Sequence, residues 1–541
     1  MSTPRANQER NKDMEDRKLT LLEERALSGL SRRDFMRTAA ATGLTVAMAG
    51  SIWETARAAT PKKGGTLQVG ADGGATSDTF NPLEMNGADH PTMSILSGFD
   101  TLTEIDDKGT PQPSLAESWE GNADGTWAIK LRQGVEFHDG KPMTADDVVW
   151  SLNQHLSKTN RAAEAQQIVQ NFEELKADGP NTVLIKQKQV NFDLPTHLSA
   201  FALIIGPEGT DDWSTAAGTG PYVKEDWQPG VQYLGRKFAN FYRDDQGHFD
   251  EVEILNIADA NARMTGLLSN ALQAIGSPET KTAGRLAQAP GFELVQVSAT
   301  QHYTCDMRAD MDPFTSSHLR QAVKWGINRQ EIVDKVLSGY GTIGNDLPIS
   351  SNQQFYNDQL EQREFDPDKA RFHLKEAGLS SADLTLSTSD GAFGGAVDAA
   401  VLMQASMGSA DMSVTVDRRP ADGYWSEVWL KVPWCMVYWN GRPTIDWMLS
   451  STYVSDSDWN SSAFKNETFD NLLVSARGEA DEAKRREMYH EAQRIFWEES
   501  GTAVFAFANI LIGHSDKLGH GPVGVSRRMD DSRLQRRWWF V

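Results

Sequence analysis

The sequence predicts an α/β protein of two or three domains. Three observations carry that prediction. Trp127, Ile129 and Leu131 alternate with Ala128 and Lys130, the period of a half-buried strand. Leu319, Ala322, Val323 and Ile327 fall on one face of a helix. The chain has 541 residues, and the roughly 480 that follow its leader are too many for one hydrophobic core.

The leader occupies 1–58. It begins with a polar, charged segment expected to be disordered. Ser31-Arg32-Arg33-Asp34-Phe35-Met36 resembles the twin-arginine export motif. A short, mostly small and apolar stretch follows over 38–53, and Ala56-Arg57-Ala58 sets small residues before a cleavage point. The apolar core is too short to span a bilayer, so 1–58 reads as a signal peptide cleaved near Ala58. This region has no Cys, so no lipid anchor is expected. No later run is apolar enough to span a membrane, and a soluble exported chain is expected.

Composition narrows the partners. Lys and Arg number 53 against 75 Asp and Glu, a formal net charge of −22. So acidic a surface argues against nucleic acid or anionic lipid as a partner. The two cysteines, Cys305 and Cys435, each sit in a strand-like run, which leaves open a disulfide or two buried thiols. No Cys-x-x-Cys or His-Glu-x-x-His spacing appears, and no metal or cofactor is expected. There is no Gly-x-Ser-x-Gly elbow and no Walker loop, so no enzyme is expected.

In chain order, Thr66-Leu67-Gln68-Val69-Gly70 is the first strand, and 71–86 is a polar loop that carries Thr76 and Ser77. Asp139-Gly140 is a turn. Thr144 with Asp147 forms a capping-box pattern, Asp standing for the usual Glu or Gln, and opens a helix through Val148, Val149 and Leu152. Gly218-Thr219-Gly220 lacks the third glycine and the helix of a dinucleotide loop, and reads as a tight turn. The Leu319 helix ends near Asn328-Arg329, and a strand runs from Trp434 to Trp439.

Five blocks in order carry a family resemblance: Leu115-Ala116-Glu117-Ser118-Trp119, Asp124-Gly125-Thr126-Trp127, Leu131-Arg132-Gln133-Gly134-Val135, Phe137-His138-Asp139-Gly140 and Thr144-Ala145-Asp146-Asp147-Val148. They resemble the signature of the family-5 extracytoplasmic solute-binding proteins, the receptors of oligopeptide, dipeptide, nickel and opine ABC transporters. Asp312-Pro313-Phe314, the following Arg-Gln-Ala helix and Phe469 through Gln493 extend the resemblance over nearly all of 60–510. Asn328 stands where the family has Asp.

The resemblance implies a two-lobed periplasmic-binding-protein fold, α/β, with an extra subdomain in the first lobe. Its domains are discontinuous: lobe I over 59–97, 215–258 and 512–541, the extra subdomain over 98–214, and lobe II over 259–511. It implies a periplasmic receptor, a monomer, that delivers a small molecule or short peptide to permease subunits in the inner membrane. A metal-chelate or haem receptor of the same fold and a periplasmic sensor or chaperone are the alternatives.

The choice of ligand turns on Trp439-Asn440-Gly441-Arg442. In peptide-binding relatives an Asp three residues after this Trp pairs with the peptide's α-ammonium. Arg442 reverses that charge and suits a carboxylate, phosphate or sulfonate, which its planar fork can grip with two bonds. Opine-like derivatives, modified peptides and other acidic solutes fit. Asp446 either pairs with Arg442 or faces a ligand amine. Trp439 is expected on the cleft wall, with Asn440 and Gly441 beside it. Thr76, Ser77 and Tyr303 are further candidates, from loops and strands that border the cleft in relatives.

Overall fold

The computed structural model describes residues 61–541 other than 86 and 161. The expected leader over 1–58, with Arg32, Arg33 and the cleavage point near Ala58, lies outside the described residues. Among the described residues no helix is long and apolar enough to cross a membrane.

One sheet of eleven strands runs through both lobes. In chain order they are β1 (Thr66–Ala71), β2 (Tyr222–Gln228), β3 (Gln232–Lys237), β4 (Glu251–Asn256), β5 (Ala274–Gly276), β6 (Phe292–Met307), β7 (Gly341–Ile343), β8 (Ala382–Thr388), β9 (Met412–Arg418), β10 (Trp434–Trp439) and β11 (Thr502–Ser515). Their spatial order is β9-β8-β10-β6-β11-β5-β1-β4-β3-β2, with β7 beside β11. Parallel pairs flank β1 at one end and β8 at the other, the mark of two α/β units.

Two hydrophobic cores correspond to those ends. Leu67, Val69, Val252, Ile254 and Ala274 belong to the first, and Leu384, Leu386, Met403, Met407 and Val437 to the second. Strands β6 and β11 serve both. Ala299, Ile510 and Ile512 enter the first core, whereas Cys305, Met307, Ala503, Phe505 and Ala506 enter the second. The β6–β11 ladder breaks register between Ser298 and His302. The chain therefore crosses between lobes near 299–301 and again between 506 and 510.

The expected first crossing lay near 258. Leu267, Leu272, Ile275 and Leu286 pack with Leu255, Ile257, Phe292 and Leu294, on the lobe I side of the register break. The sequence hides the boundary because β6 is one uninterrupted strand of 16 residues with no turn residue at the crossing.

The extra subdomain is a four-stranded antiparallel sheet in the order Ala116–Gly121, Thr126–Leu131, Thr182–Gln187, Phe172–Ala177. Trp127, Ile129 and Leu131 are buried as their alternation requires, and they join the lobe I core. Thr144 caps the helix Ala145–Gln154. The Asp147 carboxylate accepts from the Thr144 N–H at 2.8 Å, closing the box with a side chain one methylene short of Glu.

In lobe II, Ser316 caps the helix Ser317–Gly326, which buries Leu319, Ala322 and Val323. Asn328 caps the next helix, Arg329–Lys335, by accepting from the Glu331 N–H at 3.2 Å. Asn and Asp cap equally well, so Asn328 does here what an Asp would do. Cys305 and Cys435 lie on the adjacent strands β6 and β10, with Cys435 opposite Asp306, and both are buried free thiols.

Asn328→Ala should cost about 1 kcal/mol of stability and Asn328→Asp only a few tenths, read from urea unfolding followed by circular dichroism.

Candidate ligand-binding cleft

Strand β10 runs antiparallel to β6 with Trp439 opposite His302, and the chain leaves the sheet at Asn440. The next residue must be glycine, because a Cβ at Gly441 would overlap the side chain of Thr300. The loop is thereby seated on the interrupted stretch of β6. Thr444 then accepts from the Trp447 N–H at 3.2 Å and caps the helix Ile445–Thr452. Between these anchors the Arg442 guanidinium donates to the carbonyl of Asn440 at 2.9 Å, and its own carbonyl accepts from Gln353 Nε2 at 2.8 Å.

A cavity of about 530 Å³ lies between the lobes, a size suited to a small-molecule ligand. Lobe II lines it with Tyr303, Asn440, Gly441 and Arg442. Lobe I supplies Arg527, and the subdomain supplies Phe201 and, from the helix Ala163–Gln170, Glu164. Among the described residues, no carboxylate lies within 4 Å of the guanidinium of either Arg442 or Arg527, in contrast to Arg528, which pairs with Asp89 at 2.9 Å. Arg527 donates to the Gly87 carbonyl, stands 4.4 Å from the Phe201 ring, and leaves its buried Nε without a partner.

The charges in the cleft act on one another. Burial raises the Glu164 carboxyl above its ordinary range, against the pull of Arg527 and Arg442. Burial likewise lowers the Arg442 guanidinium, opposed by Glu164 and aided by Arg527. Two guanidiniums with spare donors, in a partly dry space, favour an anion.

Arg527 is placed by an unusual turn. Met529, Asp530, Asp531 and Ser532 have φ of 56°, 56°, 53° and 60°, a left-handed conformation that costs roughly 1–2 kcal/mol per residue. Side chains offset this. Asp530 accepts from the Gly524 N–H at 2.8 Å and from Trp538 Nε1 at 3.1 Å. Asp531 accepts from the N–H groups of Ser526 at 2.9 Å and Arg527 at 2.7 Å. Burial pushes the Asp531 carboxyl up to about 6.

Of the residues singled out in the sequence, Tyr303, Asn440, Gly441 and Arg442 meet in this cavity. Tyr303 stacks on Phe393 with ring centroids 4.1 Å apart. Asp446 is buried and bonded to Arg477 Nε at 2.9 Å, while Ser450 donates to it at 3.0 Å. Its partner is therefore Arg477, and the expected Arg442–Asp446 pair does not form. Trp439 packs in the lobe II core among Trp429, Tyr453 and Trp459 and does not line this cavity. Thr76 and Ser77 are exposed on a turn closed by the Asp78 N–H on the Ala75 carbonyl. Ser77 faces a separate crevice beside Pro91 and Ile95.

Arg527 and Glu164 were not anticipated. The basic pair Arg527-Arg528 followed by two Asp was the available signal, but it reads as a solvated end.

Two α/β lobes joined by a two-strand crossing, with a cavity between them, are the architecture of a binding protein that encloses a small ligand. The chain belongs to the bacterial extracellular solute-binding proteins, family 5, whose "Middle" model matches residues 110–461. It is 25% identical over 472 residues to the glutathione-binding protein GsiB of Escherichia coli K12, covering 82% of this chain and 90% of that one. The solved structure of AgaA from A. tumefaciens R10, in complex with agropinic acid, aligns with a TM-score of 0.70 at 20% identity over 88% of this chain and 99% of that one. DppA from Helicobacter pylori, in complex with the peptide STSA, aligns with a TM-score of 0.68 at 20% identity over 88% and 98%.

Two predictions follow from the crossing. Gly441→Ala should destabilise the protein by about 1–3 kcal/mol through overpacking against Thr300, and Thr300→Gly in the same chain should recover part of the loss in urea unfolding.

The second concerns His302, which is fully buried on β6 beside the crossing. Its Nδ1 donates to the Thr300 carbonyl at 3.0 Å, and burial, with Arg442 nearby, holds the imidazole down at about 4. The unfolded chain takes up this proton near 6.5. Stability is therefore full above 6.5 and is lost as pH falls towards 4, by up to about 1.4 kcal/mol per pH unit. The urea midpoint should fall more steeply from pH 7 to 4.5 in the wild type than in His302→Gln.

Proposed function

We propose that the protein captures a small organic solute by an acidic group held between Arg442 of one lobe and Arg527 of the other, and delivers it to an ABC importer. The observation that carries this reading is that the Arg442 and Arg527 guanidiniums line one cavity from opposite lobes, without carboxylate partners among the described residues. An acidic group satisfies both, whereas a free peptide ammonium at Arg442 would meet like charge in a space poor in water. The ligand held by AgaA is itself an acid by name, which agrees with this chemistry.

The lobes close on the solute as a hinged pair, with β6 and β11 as the connecting strands. The twin-arginine-like leader carries the folded chain to the periplasm, where it acts as a monomer with the permease subunits as partner.

The test is a thermal-shift screen of the chain from Ala59 against amino acids, dipeptides, opines, dicarboxylates, sulfonates and polyamines. A solute at 100 times its dissociation constant adds about 2.7 kcal/mol of apparent stability. Acidic solutes should stabilise the wild type. Arg442→Ala and Arg527→Ala should each lose about 1.5–3 kcal/mol of binding, or roughly 10- to 150-fold. Equal stabilisation of all three proteins by ordinary peptides or polyamines would overturn the reading.

A further inference from the structure

A second cavity, of about 730 Å³, opens between the extra subdomain and lobe II. Glu164 and Arg442 line both cavities and form the neck between them. The acidic-group reading does not account for this space, and its chemistry differs from that of the cleft.

Two amides give it a fixed face. Gln187 is 3% exposed and Asn191 7% exposed, and both line the cavity. Gln187 Oε1 accepts from Trp127 Nε1 at 3.1 Å and from the Asn191 N–H at 3.0 Å. Asn191 Oδ1 accepts from the Asp193 N–H at 2.8 Å. Each oxygen is committed to the scaffold, which fixes which end of each amide is the donor. The two amide nitrogens donate to no described residue. These nitrogens are not sealed from the cavity, so whatever fills it supplies their acceptors.

The opposite wall is aromatic. Trp459 is 47% exposed in the cavity and rests on Trp439 with ring centroids 6.1 Å apart. Trp447 also lines the cavity, with the His197 ring edge-on to it at 4.8 Å. The one buried carboxylate on this wall, Asp446, is already neutralised by Arg477. Fixed neutral donors facing indole rings suit a chain that presents oxygen acceptors on one side and C–H groups on the other.

We infer that this second cavity is an extension subsite, which takes an uncharged, oxygen-bearing chain of the same solute beyond the acidic group at Arg442. A polyol and a peptide backbone share that chemistry. The inference rests on the Arg442 reading, and the experiment separates the two.

Glutamate, Gly-Gly-Glu and N-(1-deoxyfructosyl)glutamate are titrated calorimetrically into the wild type and into Gln187→Glu, Asn191→Asp, Trp459→Ala and Arg442→Ala. The first two variants keep the accepting oxygen and replace the free N–H₂ by oxygen. Trp459→Ala changes an exposed side chain and guards against a folding defect in the others. At least one extended probe should bind the wild type tenfold or more tighter than glutamate. Whichever does so identifies the chain as peptide or polyol. The three subsite variants should abolish that advantage and leave glutamate affinity unchanged, while Arg442→Ala weakens all probes. If glutamate binds through Arg442 but extension adds nothing, or the subsite variants keep the advantage, water fills the cavity and the subsite is overturned while the cleft reading stands. Failure of every acidic probe to bind the wild type overturns both.

Discussion

Strands β6 and β11 hydrogen-bond to each other through both lobes, and their ladder shifts register where the chain crosses, between Ser298 and His302, and again between Tyr303 and Thr304. A sheet bends most readily where its ladder is broken. Ala299 and Ile510 anchor one side of the break in the lobe I core, and Cys305 and Ala506 anchor the other in lobe II. The 440–443 loop sits on this break, because Gly441 admits the side chain of Thr300. The guanidinium of Arg442 is held by its own loop carbonyl. The position of the candidate clamp is therefore set by the same few residues that connect the lobes.

Several buried arginines of the described residues are paired with carboxylates. Arg329 and Arg363 share the buried Asp346, and Arg536 is paired with Asp100. Removing one partner of such a pair leaves an uncompensated charge in the interior. The guanidiniums of Arg442 and Arg527 have no carboxylate within 4 Å among the described residues, and they feel each other's field across the cleft. Glu164 moderates that field without forming an ion pair. Their donors remain available to a ligand, which is what distinguishes a binding group from scaffold.

Much of the fold was legible in local sequence. The period-two run at 126–131 is a strand, and Thr144 and Asp147 close a capping box. These features depend on neighbours within a few residues. Arg442 was singled out because its charge opposes the pattern that the family resemblance implies after Trp439, and it lines the cavity. What local sequence could not supply was long-range. Asp446 found Arg477, thirty-one positions away, in place of Arg442. Arg527 reaches the cleft through a left-handed turn built from residues other than glycine, which carries no sequence signal. The crossing at 299–301 lies inside a continuous strand, and Trp439 faces the core side of its strand end.

The central claim is that an anionic group bridges Arg442 and Arg527 across the lobes. The most direct measurement compares the affinity of an acidic solute found by screening with that of its primary carboxamide, in the wild type and in an Arg442→Ala, Arg527→Ala double variant. The account predicts that the wild type prefers the acid by at least tenfold and that the double variant does not discriminate. Equal affinity of acid and amide in the wild type, or undiminished discrimination in the double variant, would contradict it.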